Sequence, residues 1–116
     1  ASRVPELFTG QLCDLNFGTF MGQSCDTALE TLVEAIDHAG YSTVLNGRFK
    51  GGFITRHYGA PEKQIHAIQL ELAQATNMDE ESKQWDHDKA TRLQRYLGEL
   101  CKQLIAWKPA TIITNT

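Results

Sequence analysis

From Asp26 onward, the apolar residues Leu29, Leu32, Val33 and Ile36 recur every three to four positions until Gly40. This spacing predicts an amphipathic helix of about three to four turns with one face toward a core. Ser24 or Asp26 is placed to cap it, because either side chain can accept a hydrogen bond from a first-turn amide. Residues 41–45 are β-prone and predict a strand, with a turn at Asn46 and Gly47. Residues 48–58 set a glycine pair ahead of Phe53, Ile54 and Thr55, which predicts a loop entering a short extended segment, broken by Gly59, Ala60 and Pro61. Over residues 64–72 the chain alternates, with His66, Ile68, Leu70 and Leu72 on one face and Ile65, Ala67, Gln69 and Glu71 on the other. That is the period of a strand.

Residues 75–84 carry three consecutive carboxylates, Asp79, Glu80 and Glu81, and read as an exposed loop or the start of a turn. A second helix begins near Asp86, where Asp88 complements the positive end of the helix dipole. Ala90, Leu93, Leu97, Leu100, Cys101 and Leu104 make its apolar face, Trp85 and Trp107 flank it as packing anchors, and Pro109 limits it. Residues 110–116 read as a last short strand or a loose tail. Residues 1–25 are glycine-rich with scattered apolar positions and predict an irregular segment. There are no internal repeats or low-complexity stretches. Strands and helices in mixed order predict an α/β fold, a mixed sheet packed with helices in two or three layers.

The 116 residues suit one domain. Hydrophobic residues at 41% and charged residues at 22% are ordinary for a globular chain, and no apolar run approaches the length of a membrane span. Eleven basic against fourteen acidic residues leave a net charge of -3, which gives no long-range attraction to nucleic acid. Cys13, Cys25 and Cys101 have no CxxC spacing, and an odd count leaves one unpaired in any intrachain scheme, so a reducing cytoplasm is the simplest setting. The opening ASRVPELFTG has no export-signal pattern, and the absence of a starting methionine suggests part of a longer protein. In that case its sheet edges and helix faces await a missing half.

Candidate chemistry concentrates in residues 46–74, NGRFKGGFITRHYGAPEKQIHAIQLELAQ. Glycines there let backbone amides approach a ligand closely. Glu71 lies between two leucines near the end of its predicted strand. It is either an outward-facing strand residue or a partly desolvated general base. Arg48 and Arg56 present rigid forks of donors suited to the two carboxylates of a dianionic substrate. His57 and Tyr58 can orient substrate or stabilise an oxyanion. His66 reads as a core or boundary histidine, and His38 and His87 as helix-end residues. No HxxxH or HxxE spacing occurs, so the chain has no self-contained zinc motif. Cys25 reads as a small buried thiol.

At these residues the sequence resembles the N-formylglutamate amidohydrolase (N-formylglutamate deformylase) family, whose motifs run NGRFKGGYITRHYG, HAxQLELAQ, YMDE and, earlier, LPDLNLGTNDGxSCD. Here they stand as NGRFKGGFITRHYG, HAIQLELAQ, NMDE and LCDLNFGTFMGQSCD. Cys13 replaces the usual proline, and Phe20 with Met21 replaces an Asn-Asp pair. The resemblance implies a hydrolase that releases formate and L-glutamate from N-formyl-L-glutamate in histidine degradation. It also implies kinship with zinc carboxypeptidases, and hence a three-layer, phosphorylase/hydrolase-like fold. On this reading the chain is the C-terminal part of the catalytic domain. Glu71 is its general base, and Asn46, Arg48, Arg56, His57 and Tyr58 contact the substrate. A divalent metal, zinc, takes its ligands from histidines and an acid upstream of Ala1. The alternative is a non-catalytic module whose basic, glycine-rich loop binds a small dicarboxylate.

Overall fold

A computed structural model describes residues 12–79, 82 and 84–108. Its centre is a strand, β1 (Leu15–Gly18), in a segment expected to be irregular. Only four residues long, it shows too little alternation to read from sequence, yet all four are buried. Leu15 and Phe17 turn to one face, and Asn16 and Gly18 to the other. A helix, α1 (Thr27–Ala35), connects it to β2 (Thr43–Leu45), which pairs parallel to β1 through Leu15↔Thr43, Asn16↔Val44 and Phe17↔Leu45. On the opposite side β3 (Gln69–Leu72) runs antiparallel, with Asn16 against Glu71 and Gly18 against Gln69. The mixed sheet therefore has the order β2-β1-β3.

Between the two capping candidates of α1 the structure selects Asp26, whose carboxylate accepts from the Ala28 amide at 2.8 Å. Ser24 instead donates to the carbonyl of Ala67 at 2.7 Å. His38 closes the other end, its Nε2 lying 2.8 Å from the Val33 carbonyl. The long helix follows the predicted start. After α2 (Phe53–Tyr58), α3 spans His87–Ala106, capped by Asp86 through the Lys89 amide at 3.0 Å.

The core lies on the Leu15/Phe17 face, where Val33 of α1, Tyr41, and Leu93, Tyr96 and Leu100 of α3 pack together, with Ile68, Leu70, Leu72, Leu97 and Leu104 around them. Tyr41 meets Tyr96 edge-on at 5.5 Å, and the Arg92 guanidinium sits 4.2 Å above the Tyr41 ring. Cys101, assigned above to the apolar face, is exposed, and Tyr96 takes part in the core instead. Cys101 follows the buried Leu100 directly, and one helical step of about 100° turns it outward.

Four other expectations are corrected. Residues 53–58 are helical rather than extended: glycines bound them on both sides, and the Thr55 hydroxyl and Arg56 amide both donate to the Gly52 carbonyl, at 2.7 and 3.1 Å. The β-branched pair Ile54–Thr55 gave the misleading signal. The strand expected over 64–72 is confined to Gln69–Leu72. Before it, a 3-10 turn at Pro61–Lys63 and left-handed Gln64 fold Ile65 back onto Ala60, and the Ala67 amide is held by the Ser24 carbonyl at 2.9 Å. The predicted loop at 75–84 contains a 3-10 turn at Gln74–Thr76 and a short antiparallel pair, β4 (Met78–Asp79) with β5 (Gln84–Trp85). Trp107 does anchor, edge-on to His66 at 5.2 Å, whereas Trp85 stands 57% exposed. Residues 110–116 lie outside the described residues. No described helix is long and apolar enough to cross a membrane.

Candidate functional site

The sheet face turned away from the core carries Asn16, Gly18, Gln69 and Glu71, because directly paired residues of neighbouring strands point the same way. Over the Gly18 end lies the glycine-rich loop. A Cβ on Gly18 would come within 2.7 Å of the Gly51 amide nitrogen, so only glycine lets the loop settle there. Gly51 itself has φ +114, a conformation that disfavours side chains.

Glu71 is half-buried on this face. Gln69, two residues earlier, donates through Nε2 to Glu71 Oε1 at 3.1 Å. The Oε1 of Gln69 accepts from the Gly52 amide at 2.6 Å. Glu71 Oε2 has no hydrogen-bond partner among the described residues. Across the strand pair, Asn16 is 1% exposed; its Nδ2 donates to the carbonyls of Cys13 at 2.9 Å and Glu71 at 3.3 Å, while its Oδ1 lacks a partner among the described residues.

Gly52 is also the N-cap of α2, which carries Arg56, His57 and Tyr58. Arg56 is exposed, and its Nε reaches back to the Gly52 carbonyl at 3.4 Å. The ring of His57 stacks on Phe53 at 4.8 Å and meets Tyr58 edge-on at 4.7 Å. Arg48 is exposed on the turn after β2. The structure thus brings Glu71 and the start of α2 together through Gln69.

Asn46 sits in the left-handed region at φ +56 and turns its carboxamide into the protein. Its Oδ1 accepts from the amides of Thr19 at 2.9 Å and Met21 at 3.4 Å, and its Nδ2 donates to Thr19 Oγ1 at 2.7 Å. The Thr19 hydroxyl donates in turn to Glu30. These bonds tie the Asn46 side chain to the turn after β1. Sequence reasoning missed Asn16, Thr19 and Gln69. The alternation over residues 64–72 already placed Gln69 on the face of Glu71, whereas Asn16 was hidden because β1 was not foreseen.

The other candidates resolve locally. His66 accepts the Asp26 amide on Nδ1 at 3.1 Å, and its Nε2 is buried with no hydrogen-bond partner among the described residues. Cys25 is 1% exposed, and burial, followed by the charges of Glu30 and Asp26, pushes its thiol up to about 11. It stays protonated near neutrality and is a poor nucleophile. Among the described residues no three His, Cys, Asp or Glu side chains converge to hold a metal ion. What the face offers is a half-buried carboxylate with one oxygen oriented by Gln69 and the other without a hydrogen bond among the described residues, a group of the kind that can accept a proton from a bound water.

Residues 1–78 match the family model described as N-formylglutamate amidohydrolase. Over 109 residues the chain is 54% identical to the N-formylglutamate deformylase of Pseudomonas aeruginosa, covering 91% of this chain and 41% of that protein. It is 52% identical to the N-formylglutamate deformylase of Pseudomonas putida over the same shares. The chain spans about 41% of the length of these curated relatives. Among solved structures, the N-formylglutamate amidohydrolase from Ralstonia eutropha JMP134 superposes with a TM-score of 0.74 at 26% identity, covering 89% of this chain and 38% of that one.

Proposed function

This chain belongs to the N-formylglutamate amidohydrolase family, and we propose that it supplies the substrate-binding and general-base part of an enzyme that hydrolyses N-formyl-L-glutamate to formate and L-glutamate, a step of histidine degradation. The observation that carries this reading is the Glu71 carboxylate, oriented by Gln69 on one oxygen and with no hydrogen bond to the other among the described residues, beside a glycine-rich loop and the arginine-bearing α2. The deformylases named above support the substrate class.

Glu71 accepts a proton from the attacking water as the new C–O bond forms. It then delivers that proton to the amide nitrogen as the C–N bond breaks. Arg48 and Arg56 hold the two carboxylates of the substrate, with His57 and Tyr58 as secondary contacts. A divalent metal, zinc, belongs to this proposal as the group that polarises the formyl carbonyl. The described residues offer no set of three ligands to hold one; on this proposal its ligands are supplied from outside this chain, and no step here is routed through it. A three-layer, zinc-carboxypeptidase-like arrangement of the whole domain is part of the same proposal.

The test is Glu71→Gln in the full-length protein, assayed for formate release. Substrate binding should persist while kcat falls about 10²- to 10⁴-fold, the usual contribution of a general base. Near-normal turnover removes Glu71 from the role.

A further inference from the structure

We propose that Gln69 is a positioning residue that locks the Glu71 carboxylate to the start of α2. The inference rests on the reading of Glu71 as general base. The side-chain amide of Gln69 has one permitted orientation: its Oε1 must face the Gly52 N–H at 2.6 Å, which turns Nε2 toward Glu71 Oε1 at 3.1 Å. Reversing the amide would set donor against donor at Gly52 and acceptor against acceptor at Glu71, losing both bonds. Each end of the bridge is therefore specified by the other.

Residues two apart on one face of a strand are separated by roughly 7 Å, so a long side chain is needed to span that gap and also reach the loop. A Cβ on Gly52 would lie 3.3 Å from Gln69 Oε1, so a side chain there would press on the bridge. The Gly52 carbonyl in turn gathers the Thr55 hydroxyl, the Arg56 amide and Arg56 Nε. A displacement of Gln69 is transmitted both to the proposed base and to the helix carrying Arg56. Donation to a single carboxylate oxygen fixes the rotamer of Glu71 and leaves Oε2 for water. Catalysis is sensitive to such placement, since a misplacement of about 1 Å can cost about 10²-fold in rate.

Gln69→Met keeps the length and removes both bonds. In the full-length protein it should lower kcat about 10- to 100-fold with KM nearly unchanged, and move the acidic limb of the pH–rate profile to higher pH because a donor to the charged form has gone. Gln69→Glu keeps the acceptor for Gly52 but sets a second carboxylate beside Glu71. Its acidic limb should move further in the same direction. A purely structural role would lower thermal stability and leave kcat per folded molecule and the limb in place, which overturns the proposal.

Glu71→Gln separates the two readings. If that variant is inactive while Gln69→Met matches wild type in kcat and pH profile, the positioning role is wrong and the general base stands. If Glu71→Gln is active, the general base itself is wrong. Should Gln69→Met not fold, the side-chain amide resonance of Gln69 in the wild-type protein decides: it should follow the titration of the Glu71 carboxyl, and its independence of that titration overturns the bridge.

Discussion

Asn46 and Thr19 are bonded to each other twice, the Asn46 amide donating to the Thr19 hydroxyl at 2.7 Å and the Thr19 backbone amide donating to Asn46 Oδ1 at 2.9 Å. The pair ties the turn after β2 to the turn after β1, and Thr19 is wholly buried. Asparagine suits this position because it tolerates φ +56 and carries both a donor and an acceptor.

Asn46→Gly keeps the backbone conformation and leaves the buried Thr19 amide unsatisfied, so it should destabilise the protein by about 1–3 kcal/mol. Asn46→Ala should cost more, because the left-handed backbone adds strain. Asn46→Asp keeps the acceptor but brings a second carboxylate toward Glu30 across Thr19, and should also destabilise. Urea unfolding midpoints measure all three. An Asn46→Ala protein as stable as wild type would contradict the role.

Arg48→Ala and Arg56→Ala should each weaken use of N-formyl-L-glutamate by about 10- to 100-fold in kcat/KM, the worth of a charge-assisted hydrogen bond. Activity toward N-formyl-alanine, which lacks the second carboxylate, should fall less. Unchanged discrimination between the two substrates would show that neither arginine reads the dianion.

Alkaline pH should destabilise the fold through two buried groups. Cys25 is raised from 9.0 to about 11, chiefly by burial. Tyr96 is raised from 10.0 to about 12, by burial and then by Tyr41. Both remain protonated in the folded state at a pH where the unfolded chain has already released the proton, so unfolding is favoured as pH rises. Their contribution is intact below about pH 9 and is lost progressively toward pH 12. Urea midpoints from pH 8 to 11 should fall, and Cys25→Ala should flatten the lower part of that decline.

Thiol labelling should follow exposure and ionisation together. Cys101 is exposed and should react first; Cys25, buried and held as a thiol, should react only on unfolding. Equal rates for the two in the native protein would contradict the placement of Cys25.

The starts of α1 and α3 were legible in the sequence because what makes them is local. The apolar spacing of Leu29, Leu32 and Val33 and the carboxylates of Asp26 and Asp86 act within one or two turns, and both helices begin where those carboxylates cap them. The alternation that put Gln69 and Glu71 on one face was legible for the same reason. What remained hidden depends on distant partners. β1 is central only because β2 and β3 pair with its two edges, and four residues of LNFG contain no trace of that. Residues 53–58 became a helix because flanking glycines bound it and Thr55 and Arg56 return to the Gly52 carbonyl. The bonds that assemble the site join Gly52 to Gln69 across 17 positions and Thr19 to Asn46 across 27. Local periodicity and the family motifs named which residues to watch. Only the folded chain, by closing those loops, decided that Asn46 orders the turn after β1 and that Gln69 connects Glu71 to α2.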